Sequence, residues 1–409
     1  MEKNIFRTLP TSGVTEVMQK AVAAGFAFDN PEWANLGQGA PEVSQIDGGL
    51  DRVANIPNDP LLQMYGPVSG QKAVRQKIAD LYNALYRQGS ASKYSWENVS
   101  ICGGGRLALA RIVATLGNIR LGKFNPDYTA YSGLFDTFPQ IETVTMSREG
   151  SVPSPRHIKE HHLDAALISN PCNPTGEVFF GDELKHFVAS AREEQYLLIM
   201  DECYSNYIYT NTKQKTTFVS AAEYIQDVDI DPVLIIDGVT KTLRYPGWRV
   251  CWVLGPKEMI ARVDAAGSFL DGGANHPVQS AILPLLEPEK YRQEAQAIQK
   301  RFREKRAYMV NRLKNIGLAP TSVPNGAFYV WVDIASLPAP LNTGMAFMEA
   351  ALRKKVIVIP GEYFDIRSHA EKNKTEKLFS SFIRISYGGD MVTLEKGMDA
   401  IESLLSATA

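Results

Sequence analysis

Tyr196-Leu197-Leu198-Ile199-Met200-Asp201 is the stretch that decides the fold: five apolar side chains in a row, ended by a carboxylate. A run of this length with no polar face suits a strand buried on both sides, the situation of a mostly parallel α/β sheet. The pattern recurs. Ala165-Ala166-Leu167-Ile168 ends at Ser169-Asn170-Pro171, Val233-Leu234-Ile235-Ile236 ends at Asp237, and Val250-Cys251-Trp252-Val253-Leu254 ends at Gly255-Pro256. Ligands of open α/β sheets sit beyond the carboxyl ends of strands. Chemistry is therefore expected just after residues 168, 200 and 236.

Upstream, Val74, Ile78, Leu81, Tyr82 and Leu85 form one stripe at the helical period, and a second helical pattern follows Cys102-Gly103-Gly104-Gly105-Arg106. Near residue 288 the texture changes. Tyr291 to Leu313 reads as one long amphipathic helix, followed by short strand-like runs (Ala327–Val332, Val356–Ile359, Phe382–Ser386) and a terminal helix through Leu394, Met398, Ile401 and Leu405. The expected organisation is a large α/β domain over 51–287, with a smaller α+β domain built from 1–50 and 288–409.

Composition bounds the function class. A chain of 409 residues is long enough for two or three domains at roughly 100–200 residues each. Its 43 basic and 45 acidic residues leave a net charge of −2, which gives no whole-chain basic footprint for nucleic acid or an acidic membrane. No apolar run approaches the ~18 residues of a membrane span, and Met1-Glu2-Lys3-Asn4 leads into no signal-peptide core. Cys102, Cys172, Cys203 and Cys251 show neither CxxC nor framework spacing. The expectation is a cytoplasmic enzyme with reduced thiols and no membrane or nucleic-acid partner.

The segment Thr240-Lys241-Thr242-Leu243-Arg244-Tyr245-Pro246-Gly247-Trp248-Arg249 puts a lysine just past a buried strand, where desolvation lowers its pKa and yields a nucleophilic amine. Alone, such a lysine is usually a solvated surface residue. Here Asn170-Pro171-Cys172-Asn173-Pro174-Thr175-Gly176 follows one strand and Asp201-Glu202-Cys203-Tyr204 the next. Glycines opening the helix at 103–105 would expose N–H groups to an anion, favoured there by the helix dipole.

The order glycine cradle, aromatic, NPxNPTG, DxxY, lysine, GxR and late RxS resembles the class I/II aminotransferases of the fold-type I pyridoxal-phosphate enzymes, the aspartate aminotransferase superfamily. It runs from Leu36 to Ser386. The resemblance implies pyridoxal 5'-phosphate as cofactor and Lys241 as its Schiff-base lysine, which then shuttles the proton between substrate Cα and cofactor. It implies that Asp201 pairs with the pyridine nitrogen and keeps it protonated. Asn173 and Tyr204 would bond the phenolic oxygen, and Tyr128 would stack on the ring. Gly104 and Gly105 would cradle the phosphate, with Thr240 as a hydroxyl ligand and Arg249 as the charged clamp. Tyr65 would reach the phosphate from a neighbouring subunit, completing the site in a homodimer. Arg384 would take the substrate carboxylate, assisted by the backbone near Gly39 and by Asn173.

The implied reaction is transfer of an amino group from an L-amino acid to a 2-oxo acid by a ping-pong mechanism. A pyridoxal-phosphate lyase, cyclase or oxidase using the same cofactor site is the alternative. Two positions depart from the family pattern. Gly238 stands where many members place a phosphate-binding serine, and Gly105 removes a second side-chain ligand, with Arg106 beside it as compensation or as a solvent-facing residue. Leu270 replaces an arginine that many aspartate aminotransferases use for a distal carboxylate, which weighs against a dicarboxylate donor.

Three other signals are read as ordinary structure. His157, His161 and His162 lack HExxH and a third ligand, so they belong to a solvated helix face. Cys102, Cys172 and Cys203 are small hydrophobes in tight space. Lys300-Arg301-Phe302-Arg303-Glu304-Lys305-Arg306 is the polar side of the long helix.

Overall fold

The computed structural model describes residues 11–148, 153–209, 218–372 and 377–407. Twelve strands occur among them: β1 (Ala34–Asn35), β2 (Val99–Cys102), β3 (Ile119–Asn125), β4 (Ile141–Ser147), β5 (Ala165–Ser169), β6 (Leu197–Asp201), β7 (Val233–Gly238), β8 (Cys251–Leu254), β9 (Tyr329–Asp333), β10 (Val356–Ile357), β11 (Ile359–Pro360) and β12 (Phe382–Ser386). Seven of them form one sheet in the order β2-β8-β7-β6-β5-β3-β4. Strands β7, β6, β5, β3 and β4 run parallel, while β8 is antiparallel to both its neighbours. The sheet is thus α/β and mostly parallel. Every residue of β5 and β7 is buried, as uninterrupted apolar runs require.

The antiparallel course of β8 matters for the site. Its first residue, Cys251, pairs with Gly238 at the end of β7 and with Cys102 at the end of β2. The start of β8 therefore lies at the same edge as the carboxyl ends of its neighbours. Arg249, just before it, is delivered to the edge where Lys241 follows β7.

The helix Lys72–Tyr86 buries Val74, Ile78, Leu81 and Tyr82, the stripe read from the sequence. The long helix spans Pro288–Asn315 and buries Tyr291, Ala295, Ile298, Phe302, Met309 and Leu313. One expectation on it is corrected. Lys305 is not on a solvated face: it is fully buried, its Nζ bonded to Glu42 Oε2 at 2.5 Å and to Gly389 O at 2.6 Å. A buried ammonium is tolerated only with such partners. Burial still pushes its pKa down to about 8.

After this helix, β11, β12 and β9 form an antiparallel sheet, and β1 pairs parallel with β10. The expected run Val356–Ile359 is divided between those two sheets. One apolar core draws on both chain ends, from Val17 and Leu36 to Tyr329, Ile385 and Leu404, and two others fill the faces of the large sheet. Of the three histidines, His157 is half-buried with its ring 6.2 Å from Phe124, and His161 lies just beyond the helix Arg156–Glu160. Among the described residues, no group of three or more His, Cys, Asp or Glu is arranged to hold a metal, and no helix is long and apolar enough to cross a membrane.

Candidate active site

A cavity of 490 Å³ lies at the carboxyl edge of the large sheet, lined by residues at or just past the carboxyl ends of β2, β3, β5, β6 and β7, by the start of β8, and by residues from the N- and C-terminal parts of the chain such as Gly39 and Arg384. Lys241, Asp201, Asn173, Tyr204, Tyr128, Gly105, Thr240, Arg249, Arg384 and Gly39 all reach its wall. Residues that are separated by up to 345 positions in sequence thus share one space because strand ends and their loops converge there.

Lys241 occupies a single helical turn, Val239–Thr242, that follows β7 directly. Its Nζ donates to Gly39 O. Burial pushes its pKa down to about 8, and the guanidinium groups of Arg249 and Arg384 push the same way. An amine so placed is a nucleophile at neutral pH far more often than a free lysine. Asp201, the last residue of β6, accepts from Tyr131 Oη at 2.6 Å and from the Cys203 N–H at 3.2 Å. Both bonds fix its carboxylate at the cavity wall.

The glycine segment gives the cavity an anion-receptive end. Gly104 sits at φ 115°, and the helix Gly105–Ala114 begins immediately after it. A Cβ on Gly104 would run into the Arg249 guanidinium, so the missing side chain is what lets that cation approach the helix start. The cradle differs in one respect from expectation. The Gly104 N–H already donates to Cys102 O at 2.8 Å. The free first-turn donors are those of Gly105 and the residues after it. Arg249 is exposed, with its Nη1 donating to Pro246 O at 3.2 Å. Thr240 Oγ1 lies 3.4 Å from Cys251 Sγ, so its hydroxyl has a thiol neighbour as well as the cavity.

The opposite end presents a buried guanidinium. Arg384 is fully buried on β12; its Nη1 donates to Asn173 Oδ1 at 2.8 Å and its Nη2 to Gly37 O. Its Nε has no hydrogen-bond partner among the described residues. A buried guanidinium N–H left open in a cavity is an unusual cost unless a ligand satisfies it. The Asn170 side chain braces the loop that carries Asn173, donating to Phe179 O at 2.8 Å and accepting from the Phe179 N–H at 3.1 Å.

Tyr65 and Gly104 are the sequence-derived residues not on the cavity wall. The Tyr65 side chain is fully exposed among the described residues. Leu270 is exposed and also outside the wall, so it does not shape the space a substrate side chain would take within one chain. Cys203 corrects another expectation: it faces the cavity instead of filling a sealed core, and burial with the nearby Asp201 pushes its thiol pKa well up.

The structure adds two residues that motif reading missed, Tyr131 and Tyr329, which line the wall. Of the two alternatives for Arg106, it takes a cavity position, donating from Nε and Nη2 to Tyr128 Oη at 3.0 and 2.8 Å. Arg106 is therefore held at the cavity rather than free in solvent. Tyr131 lies three residues after Tyr128 in the same motif, a signal available in the sequence. Tyr329 was not legible locally, since only the β9–β12 register sets it opposite Ser386 and beside Arg384.

Residues 31–401 match the family model described as aminotransferase class I and II. An aspartate aminotransferase of Pyrococcus abyssi is 30% identical over 247 residues, 59% of this chain and 57% of that protein. The chain's match thus spans little more than half the length of that relative. An aspartate/prephenate aminotransferase of Thermus thermophilus is 24% identical over 351 residues, 83% of each chain. Among solved structures, an aminotransferase from Mycobacterium tuberculosis superposes with a TM-score of 0.80 at 20% identity over 100% of both chains. The Thermus thermophilus aspartate aminotransferase with maleate gives 0.77 at 20% identity over 97% of both. At these identities the structural likeness shows the fold.

Proposed function

The chain belongs to the class I and II aminotransferases, and from that premise we propose that it is a pyridoxal-phosphate-dependent aminotransferase, moving an amino group from an L-amino acid to a 2-oxo acid by a ping-pong mechanism. The observation that carries this reading is the joint placement of Lys241, Asp201 and Arg249 on one cavity wall beside a glycine-opened helix N-terminus.

The residues present fit the cofactor. The amine of Lys241, with its pKa near 8, suits an aldehyde. The space that Gly104 leaves for Arg249, together with the free N–H groups at the helix start, suits a phosphate dianion. Asp201, already braced by Tyr131, would pair with the pyridine nitrogen. Tyr128 would stack on the ring, and Asn173 and Tyr204 would bond its phenolic oxygen. Bound there, the protonated pyridine would supply the sink for the electron pair left when the substrate loses its Cα proton.

In this reading Lys241 holds the moving proton at Nζ between Cα and the cofactor. Arg384 binds the substrate carboxylate, with its open Nε as one donor, and Asn173 keeps the guanidinium in place from the other side. The exposed Tyr65 would serve a second copy's phosphate site in a homodimer. The apolar cores support a division into 51–287 and the paired ends 1–50 and 288–409, with Tyr204, Tyr207 and Tyr209 crossing into the core of the ends and Tyr291 and Ile366 into those of the large sheet. The four free thiols suit a reducing cytoplasm.

The deciding experiment is the visible spectrum of protein loaded with pyridoxal phosphate, before and after each amino acid is added singly. Bleaching of the band by an amino acid, reversed by a 2-oxo acid, is expected and names the donor. Recovery without any oxo acid would assign a lyase or oxidase instead. Lys241→Ala is expected to keep its fold and lose the lysine-bound band, and Asp201→Ala to lose catalysis far more than stability.

A further inference from the structure

Tyr204 Oη and Tyr329 Oη lie 2.6 Å apart in the cavity wall, both on buried side chains. Neither hydroxyl has another hydrogen-bond partner among the described residues. Two phenols sharing one bond use one proton between them and leave one for a ligand. Which one is left depends on which hydroxyl donates to the other.

The surroundings favour one direction. Tyr329 pairs across the ladder with Ser386, on the same sheet face as Arg384, and the Arg384 guanidinium carbon stands 4.2 Å from the centre of the Tyr329 ring. A cation over a phenol favours its ionised form, so Tyr329 is the more acidic partner and the better donor. The relative acidity agrees: burial raises both tyrosines and Arg384 lowers both, yet Tyr329 comes to rest at about 12 while Tyr204 stays well above the ordinary phenol value. The Gly39 backbone packs closely against this hydroxyl: a Cβ there would lie 2.5 Å from Tyr329 Oη.

We propose that Tyr329 is a positioning residue that donates its hydroxyl proton to Tyr204 and thereby commits the Tyr204 proton to the phenolic oxygen of the bound cofactor. This rests on the cofactor reading above. Removing the Tyr329 hydroxyl leaves Tyr204 able to donate but without the polarising bond behind it, and hydrogen bonds in series strengthen one another. The phenolate form of the lysine-bound cofactor is then less stabilised, and its proton is held to higher pH.

The test is a pH titration of the absorption band in wild-type protein, Tyr204→Phe, Tyr329→Phe and the double variant, each loaded with pyridoxal phosphate. Tyr329→Phe is expected to move the midpoint upward by about half a unit, the scale of losing a fraction of one hydrogen bond, and Tyr204→Phe by more. The double variant is expected to match Tyr204→Phe alone, because Tyr329 acts through Tyr204. A purely packing role would leave the midpoint unmoved in Tyr329→Phe, and that result overturns the proposal, as does a double variant whose shifts add. Absence of any band in the wild type would overturn the cofactor reading and this inference with it. Phenylalanine keeps the ring, and thermal midpoints recorded alongside separate lost folding from a moved titration.

Discussion

Gly238 and Cys251 are directly paired across β7 and β8, so close that a Cβ on Gly238 would lie 2.5 Å from Cys251 Cα, 2.6 Å from its Sγ and 2.6 Å from Val250 O. The absence of a serine at 238 therefore has a steric cause. Gly238→Ser is expected to lower stability by about 1–3 kcal/mol or more, as overpacking of a closed ladder does. Adding Cys251→Gly removes the thiol but not the two backbone contacts, so it should recover only part of the loss. Chemical denaturation of the three proteins checks this, and a Gly238→Ser variant as stable as wild type would refute it.

With no side chain at 238, the anion end depends on the first-turn N–H groups and on Arg249. Thr240 contributes a hydroxyl already near Cys251 Sγ. Arg249→Gln is expected to weaken pyridoxal-phosphate binding roughly 10- to 100-fold, the range for losing charge-assisted bonds, and Thr240→Ala by less than about tenfold. Fluorescence titration with the cofactor, and displacement by inorganic phosphate, measure both. Equal losses in the two variants would mean the guanidinium is not the main clamp.

Lys241 offers a pH test that needs no turnover. Its pKa is pushed down to about 8 by burial first, then by Arg249 and Arg384. The free amine thus grows in as pH rises through 8, well below the ~10.4 of an exposed lysine. Borohydride trapping of cofactor-free protein mixed with pyridoxal phosphate should label Lys241 with a half-maximal rate near pH 8. Peptide mass spectrometry locates the adduct. A rate still climbing past pH 9.5, or trapping chiefly at another lysine, would contradict the assignment.

In the large sheet, the strands legible in the sequence were those with no polar interruption, whereas β12 was legible despite Arg384 at its centre. All of β8 and most of β5, β6 and β7 read as apolar runs because they are central and covered on both faces. β3 and β4 went unread for local reasons. β3 carries Arg120 and Lys123 within its seven residues, and β4 is an edge strand whose burial is only partial. The site showed the same split. Asp201, Lys241 and Asn173 stand just past readable strands, so their positions carried their chemistry. Tyr329 and Arg106 owe their places to a strand register and to a partner phenol, neither of which leaves a local pattern.

Lys123 is the residue that hid β3, and it has a measurable consequence. Its ammonium is buried with no hydrogen-bond partner among the described residues, 5.8 Å from the centre of the Phe135 ring. Burial, aided by Lys372, pushes its pKa down to about 8 against the opposing pull of Glu371, Asp136 and Asp365. Between that value and the ~10.4 of the unfolded chain, the unfolded state binds the extra proton, so this group's contribution to stability rises with pH across the window. The destabilisation is complete below about pH 8 and gone above about pH 10.4. Lys123→Met, apolar and unbranched, is therefore expected to stabilise the fold by about 1–3 kcal/mol at pH 7. Most of that gain should vanish by pH 10.5. Urea unfolding of both proteins at the two pH values decides it: an equal gain at both would trace the effect to packing alone, and a loss at pH 7 would mean that the ammonium is well partnered after all.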